Sequence, residues 1–190
     1  METSKQALLH QAKNTGAETL RLLGNFSEEH FNTQPAYGGW TAGQVAEHLL
    51  LSAGVVEVIA GHTTPTNDRQ PDTHLPMIAG VFLDFNTKLQ SPDFIIPSEG
   101  NHDKAQHLAK TKIVWDKIGE GIRLLDLSAT CLDFEFPGMG PLTRLEWLWF
   151  YVWHTQRHLH QLTNIHAAVT HLHPLPNTTQ TTATTTNTPQ

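Results

Sequence analysis

Apolar residues recur at intervals of three and four along four long segments of the chain, the spacing of one face of an α-helix. The four segments are, in order, 4–23, 40–59, 101–127 and 143–169. No segment shows the strict alternation that is typical of a β-hairpin. The pattern therefore predicts an all-α fold, a four-helix bundle with one or two short extra helices and long connections.

Two of these segments begin with capping-box sequences. Thr41 and Gln44 stand three residues apart directly after Trp40, and Thr143 and Glu146 repeat the arrangement before the last segment. In a capping box, the hydroxyl and the longer side chain each accept a hydrogen bond from the other residue's backbone N–H. These pairs place the starts of the second and fourth long helices.

The stretches between the long helices predict less regular structure. Ser27 caps a short helical turn, and residues 77–89 have the spacing of a further helix. Residues 61–76 read as a long surface loop. Proline and glycine fill the second half of residues 128–142, so we expect no regular structure there.

Composition changes abruptly at the end of the last helix. From residue 170 the chain is rich in Thr, Pro and Asn and has few apolar side chains. Such a segment cannot bury enough apolar surface to offset the entropy of ordering. We therefore predict a helical domain over residues 1–169 and a disordered tail over residues 170–190.

Charge and cysteine content narrow the functional classes. The 190-residue chain has a net charge of −6, which argues against a nucleic-acid partner because such proteins carry a basic surface. No long uninterrupted apolar run predicts a membrane span, and no signal-peptide pattern is present. The single cysteine, Cys131, fits a reducing compartment. We expect a cytoplasmic protein.

The last segment contains His154 and His158, which lie one turn apart on the same face of a helix. The chain has 13 histidines, so roughly one such pair is expected by chance and the spacing alone is weak. His48 lies on the apolar stripe of the second helix. In a bundle these three imidazoles can meet at one point and leave a metal ion an open position. His160 points about 200° away from His158 and is left out.

Other interpretations of these residues stay open. A histidine on an apolar stripe is commonly a hydrogen-bonded core residue, so the three imidazoles could be buried without a metal. Gln161 and Tyr151 share the face of the pair and are candidates for supporting hydrogen bonds. The remaining residues are expected to be solvated histidines or, for the cysteine, an inert buried thiol: His62, His74, His102, His107 and Cys131.

Two motifs resemble those of the DinB-like superfamily of metalloproteins. Trp-Thr-Ala-Gly-Gln-Val-Ala-Glu-His-Leu at 40–49 resembles its second-helix motif, and Tyr-Val-Trp-His-Thr-Gln-Arg-His-Leu-His-Gln-Leu at 151–162 is similar to its last-helix motif. The resemblance spans roughly residues 5 to 168. It implies a four-helix bundle with one zinc or nickel ion held by His48, His154 and His158. Relatives include transferases that use bacillithiol, mycothiol or glutathione.

The resemblance implies a metal-dependent enzyme, a thiol S-transferase or a hydrolase, that acts on a small electrophilic molecule. A divalent metal ion is the expected cofactor and a low-molecular-weight thiol a candidate co-substrate. The alternative is a metal- or ligand-binding bundle without turnover, with a role in stress response or assembly. The last helix is apolar nearly all round, which predicts a homodimer.

Overall fold

Four long helices form a bundle, and shorter helices and a small sheet pack against it. A computed structural model describes residues 2–170, with side chains from Lys5 onward. The elements are, in chain order, α1 (Glu2–Gly24), α2 (Glu28–Asn32), α3 (Ala42–Ser52), α4 (Val55–Ala60), β1 (Thr63–Thr64), α5 (Leu75–Phe82), a 3-10 turn (Asp93–Ile95), α6 (Lys104–Leu124), β2 (Thr130–Phe136), β3 (Gly140–Thr143) and α7 (Arg144–Thr170).

The bundle consists of α1, α3, α6 and α7. Helix α1 packs on α6 and α7, and α3 packs on the same two helices from the other side. Gly16 of α1 lies against Trp115 of α6, since a Cβ there would lie 2.7 Å from the Trp115 ring. Its role is close packing. The predicted four-helix bundle is confirmed.

The predicted second helix is divided into two. The Thr41–Gln44 capping box is present at the start of α3, but the helix stops at Ser52 and α4 resumes at Val55 after a turn. The stretch Ala42–Ala60 is apolar enough to cross a membrane by length and composition, and half of its 18-residue window is buried. His48 and Leu49 on α3 are buried within the bundle, as expected of a core helix.

A small sheet corrects the expectation that the second half of residues 128–142 has no regular structure, because β3 lies there. Strands β2 and β3 pair antiparallel, and β1 adds to the other edge of β2. Gly138 and Gly140 have φ of 80° and 72°, a conformation that glycine adopts without strain. Gly138 and Gly140, which were expected to interrupt regular structure, thus form the turn of a β-hairpin.

The helix predicted over 77–89 is shorter than expected. Helix α5 ends at Phe82, and residues 83–98 run on without regular structure except for the 3-10 turn. We call residues 83–98 the strap. It crosses the face of the bundle where α3 and α7 meet, because Ile95 and Thr87 contact these two helices through hydrogen bonds.

A buried carboxylate anchors the predicted surface loop of residues 61–76. Glu146 is fully buried and accepts two 2.8 Å bonds from the Arg69 guanidinium. It also accepts bonds from the backbone N–H groups of His74 and Thr143, the latter completing the predicted capping box. His74, expected to be solvated, is therefore partly buried. We call these four residues the Glu146 cluster.

The core divides into two apolar clusters along α7. One surrounds Leu148 and Val152 and includes residues of α1, α4, α5 and α6. The other surrounds Leu162 and Ile165 and includes Phe26 and Phe31. His154 and His158 of α7 lie between them. The predicted tail lies, from residue 171 onward, outside the described residues, so its disorder stays a prediction.

Candidate metal centre

Three imidazoles from two helices converge between the two apolar clusters. His48 extends from α3, and His154 and His158 extend from α7. The Nε2 atom of His154 lies 3.1 Å from the Nε2 of His48 and 3.1 Å from that of His158. The structure therefore brings together the three residues predicted from the sequence.

Hydrogen bonds at the Nδ1 atoms of His48 and His158 determine which nitrogen of each ring carries the lone pair. His48 Nδ1 donates to the Ile95 carbonyl oxygen (2.7 Å), and His158 Nδ1 donates to Gln161 Oε1 (2.8 Å). In a neutral ring the other nitrogen then carries no proton. The Nε2 atoms of both rings thus direct lone pairs at His154, whose own Nε2 can offer at most one proton to the two of them.

Burial keeps the three rings neutral. It lowers the pKa of His48, and it lowers the pKa of His154 well below the ordinary value, with repulsion from His158 and His48 adding to the effect. The pKa of His158 falls to about 3, again mainly because of burial. Neutral imidazole is the form that binds metal, so we expect binding to persist to lower pH than unperturbed histidines would allow.

The arrangement fits one tetrahedral metal ion. Nitrogen ligands about 2.0 Å from a zinc ion lie about 3.3 Å apart in a tetrahedron, close to the 3.1 Å separations of the Nε2 atoms. All three ligand atoms lie within 4.8 Å of one another. One cation at their centre would satisfy all three nitrogens. That these residues hold a metal ion stays a prediction.

Aromatic rings enclose the three imidazoles. Trp40 lies against His48, with ring centroids 4.9 Å apart, and faces His158 at 6.5 Å. Phe150 stacks on His154 at 5.4 Å, and Phe82 meets the same ring edge-on at 5.6 Å. From the sequence, Trp40 was predicted only to precede the start of the second long helix. Its position directly before the capping box was the available signal.

The strap is fastened beside His48 by a second polar group. Glu47 accepts hydrogen bonds from the Ser98 backbone N–H (2.6 Å) and hydroxyl (2.8 Å), and its carboxylate lies 2.9 Å from His102 Nε2. These bonds fix the strap three residues after Ile95, whose carbonyl orients His48. His102 and His107, expected to be exposed, are both buried.

The other residues singled out in the sequence differ in where they lie. Gln161 hydrogen-bonds His158, but the hydroxyl of Tyr151 donates to the Leu49 carbonyl and to no histidine. His160 lies off the site, stacked on Phe85. Cys131 is buried, and this burial raises its pKa to about 11, which leaves the thiol inert as predicted.

A wide cleft of about 1700 Å³ opens onto the three imidazoles. Its floor is α7, and its sides are α3, α4, the strap and the hairpin. Arg157 on α7 donates to the carbonyl oxygens of Asp84 and Thr87 and so holds the strap across the cleft. The site is thus buried at its base and open to a small molecule.

Comparison with known proteins identifies the family of this fold. The model of the DinB superfamily matches residues 11–162. Among solved structures, the chain is similar to YfiT from Bacillus subtilis, with a TM-score of 0.55 and 18% identity over 87% of each chain. YfiT is described as "a probable metal-dependent hydrolase with an unusual four-helix bundle topology". At that identity the likeness shows the fold alone. No curated protein matches the chain.

Proposed function

This chain belongs to the DinB superfamily, and we propose that it is a metal-dependent enzyme that joins a low-molecular-weight thiol to an electrophilic small molecule. The resemblance noted in its two motifs is thereby confirmed at the level of the family. The reaction, the metal and the substrates are the proposal.

The observation that carries the proposal is the inward orientation of three neutral imidazole nitrogens at the base of an open cleft. Three ligands on a tetrahedral ion leave one position free, which is the pattern of catalytic rather than structural sites. Imidazole suits zinc, copper, iron and nickel, and among these the family resemblance favours zinc or nickel. His48, His154 and His158 would hold such an ion, which when bound would lower the pKa of a thiol or a water at the free position.

The chain's own residues prepare the site. Ile95 and Gln161 hold two rings in the tautomer that presents Nε2 to the centre. Phe82, Phe150 and Trp40 surround the imidazoles and keep bulk water from their sides. A drier site strengthens the electrostatic effect of a cation on the sulfur.

The proposed reaction with an epoxide balances as an addition. The thiol loses its proton, its sulfur forms a bond to one epoxide carbon, and the C–O bond of that carbon breaks. The electron pair of that bond goes to oxygen, which takes up one proton, so the product is a β-hydroxy thioether. With water in place of the thiol, the same opening yields a diol, which is the hydrolase alternative suggested by the description of YfiT.

The test measures metal and turnover in the same preparations. Purified wild type is compared with His154→Leu and with His10→Ala, a matched control in the exposed part of α1. We expect one zinc or nickel ion per chain and thioether formation with at least one of bacillithiol, mycothiol and glutathione, both lost in His154→Leu only. Metal-free wild type would contradict the site, and metal-loaded protein that forms diol alone would contradict thiol transfer.

One feature favours a binding protein without turnover. Among the described residues that line the cleft, Asp93 is the only carboxylate, and it belongs to the strap rather than to the ligand-bearing helices. A general base close to the reacting atoms is therefore not supplied by a carboxylate of the bundle. Metal-loaded protein that consumes neither thiol nor epoxide would support this second function.

The predicted partners and compartment are consistent with the same proposal. A small-molecule substrate matches a concave site lined by aromatic side chains. A reduced thiol co-substrate and a buried unpaired Cys131 both belong to a reducing compartment such as the cytoplasm. The homodimer stays a prediction, and sedimentation of the purified protein tests it.

A further inference from the structure

The cleft has two chemically different halves, with the three imidazoles between them, and we infer that the apolar half binds the body of the electrophile. The substrate class is then an extended apolar or aromatic molecule with the reactive group at one end. This inference rests on the proposed function for the reactive end, but the binding of the apolar body can be measured without turnover.

The apolar half, here called the aromatic arm, consists of six rings. They come from α5, the strap, β2 and α7: Phe82, Phe94, Phe134, Phe136, Trp147 and Phe150. Four elements from two separate stretches of the chain, 75–98 and 130–170, therefore contribute rings to one side of the site.

These rings form a continuous series that leads to the metal ligands. From the outer end, Phe94 contacts Phe134 at 5.9 Å and Phe134 contacts Trp147 at 5.9 Å. Trp147 then contacts Phe150 at 5.7 Å, and Phe150 stacks on His154 at 5.4 Å. An apolar molecule lying along this series touches aromatic surface over its whole length, with one end at the imidazoles.

The outer rings are unusually exposed. Phe94 is 64% exposed and Phe134 is 40% exposed, and Ile96 on the strap is 48% exposed. Exposed aromatic side chains that line a concave surface indicate a ligand-binding groove. Covering them gains free energy in proportion to the apolar area removed from water.

Helix α7 gives the length of the arm. Trp147 precedes His154 by seven residues, which is about 10 Å along a helix axis. The arm therefore accommodates an alkyl chain of several methylene groups or two aromatic rings. A small polar molecule would leave most of it exposed to water.

The other half of the cleft is the more polar one, although Phe85 stacks on His160 there. Past His158, α7 contributes Gln161 and Asn164, and the strap contributes Lys88. Arg157 adds a second cation beside them. The apolar part of a ligand is disfavoured at this end because it would displace water from charged and amide groups. The orientation of the substrate in the cleft follows from this difference.

The shape of the arm favours a small molecule over a second protein chain. Its rings lie on the walls of a groove, with the strap on one side and the hairpin turned toward it on the other, since Phe94 and Phe134 contact each other across the opening. A protein surface needs an accessible, nearly flat patch of much greater area. The groove is also continuous with the three Nε2 atoms, so an occupant reaches them directly.

The binding test uses N-phenyl-1-naphthylamine, a neutral aromatic dye whose fluorescence rises in apolar sites, with zinc-loaded full-length protein. Displacement by 1,2-butanediol, 1,2-hexanediol and 1,2-octanediol gives the effect of chain length without any reaction. We expect the inhibition constant to fall about fourfold for each added methylene until the arm is filled. Equal displacement by all three diols, or no dye binding, would overturn the inference.

Variants then locate the binding. Phe134→Ser is expected to weaken dye and octanediol binding about tenfold with zinc content unchanged, and Phe94→Ser serves as a second variant on a different element. Leu124→Ser, at a residue that is 72% exposed outside the cleft, is the matched control and should leave binding within about twofold. Equal effects of Phe134→Ser and Leu124→Ser would overturn the inference.

Three outcomes separate this inference from neighbouring ones. Sedimentation that shows a wild-type dimer dissociated by Phe134→Ser would assign the arm to contact between two copies and overturn the inference. Chain-length-dependent dye displacement without turnover would support the arm while contradicting the enzyme. Thiol transfer to 1,2-epoxybutane and 1,2-epoxyoctane with equal KM would support the enzyme and overturn the arm.

Discussion

Helix α7 carries two buried polar groups about 12 Å apart, and they differ in how they are satisfied. At Glu146, every partner is present, because a guanidinium and two backbone N–H groups surround the carboxylate. At His154, the inward nitrogens of three rings face one another and share at most one proton. The first arrangement stabilises the fold. The second leaves nitrogen lone pairs that a bound cation would satisfy.

The presence or absence of hydrogen-bond donors distinguishes the two kinds of buried polar group in this protein. Buried polar groups are nearly always hydrogen-bonded. A group of buried acceptors with too few donors, such as the three inward nitrogens, is therefore unusual. Both groups look alike by burial alone. Only the count of donors and acceptors distinguishes the Glu146 carboxylate, both of whose oxygens accept hydrogen bonds, from the three inward nitrogens.

The largest effect is expected at the three imidazoles. His154→Leu should abolish metal binding, since two imidazoles and no further ligand remain. In the metal-free state the variant should be as stable as wild type or more so, because an apolar side chain needs no hydrogen bond there. Metal analysis and urea unfolding in the presence of chelator check both parts. Retention of a full equivalent of metal would contradict the assignment of ligands.

The Glu146 cluster should respond in the opposite way. Arg69→Met leaves a buried carboxylate without its counter-charge and is expected to lower the free energy of unfolding by about 3–5 kcal/mol, with metal content unchanged in the folded protein. Urea unfolding measures it, and Arg123→Met on the surface of α6 is the matched control. The double variant with Glu146→Leu should recover part of the loss. If Arg69→Met were as stable as wild type, the Glu146 cluster would not be a stabilising network, and the contrast with the three imidazoles would be wrong.

A smaller effect is expected at the group that orients His158. Gln161→Leu removes the acceptor of His158 Nδ1 and should lower metal affinity about 10- to 100-fold. Competition with a chelator measures the affinity. Asn164→Leu, one turn further along α7, contacts no ligand and should leave the affinity unchanged. Equal affinities of the two variants would show that this bond does not orient the ring.

The smallest effects are expected in the pH dependence of stability, and they separate the two regions. In metal-free protein, burial lowers the folded-state pKa of His154 and His158. The unfolded chain then binds more protons below the ordinary value of 6.5, so stability falls as the pH drops through that value. Urea unfolding of metal-free His154→Leu should show a shallower fall between pH 6.5 and pH 4.5.

Glu146 affects the stability of the fold at lower pH than the histidines do. Burial acts to raise its pKa, but the bonds from Arg69 and the backbone outweigh burial and lower it. Its contribution to stability is therefore complete above the ordinary value of 4.5 and is lost as the pH falls through the lowered value. Glu146→Gln should lose stability at neutral pH and depend less on pH below 4.5. A parallel pH dependence in the variant and wild type would contradict this.

The convergence of the three imidazoles could be predicted because it depends on helix periodicity. His154 and His158 are one turn apart, and His48 lies on an apolar stripe, so a bundle of the right topology brings them together. Gln161 was a candidate for the same reason. The Ile95 carbonyl was not, since a backbone oxygen on an irregular strap has no side-chain signal.

Long-range pairs account for the other errors. His102 looked exposed because its partner, Glu47, is 55 residues earlier in the chain, and His74 because Glu146 comes 72 residues later. The hairpin was missed since Gly138 and Gly140 break a helix and also favour a tight turn. The local sequence pattern predicts the helices. The burial of residues such as His102 and His74 depends on partners that are distant in the chain.

Arg157 donates its hydrogen bonds to the strap at main-chain oxygens, the carbonyls of Asp84 and Thr87, and the charge of the Asp84 carboxylate adds an electrostatic attraction. Hydrogen bonds to the main chain do not depend on which side chains stand at the other positions of the strap. Phe85, Lys88 and Leu89 can therefore be exchanged for other residues while the attachment persists. The strap offers a natural position for a randomised library, in which the entrance of the cleft changes and the histidines at its base keep their geometry.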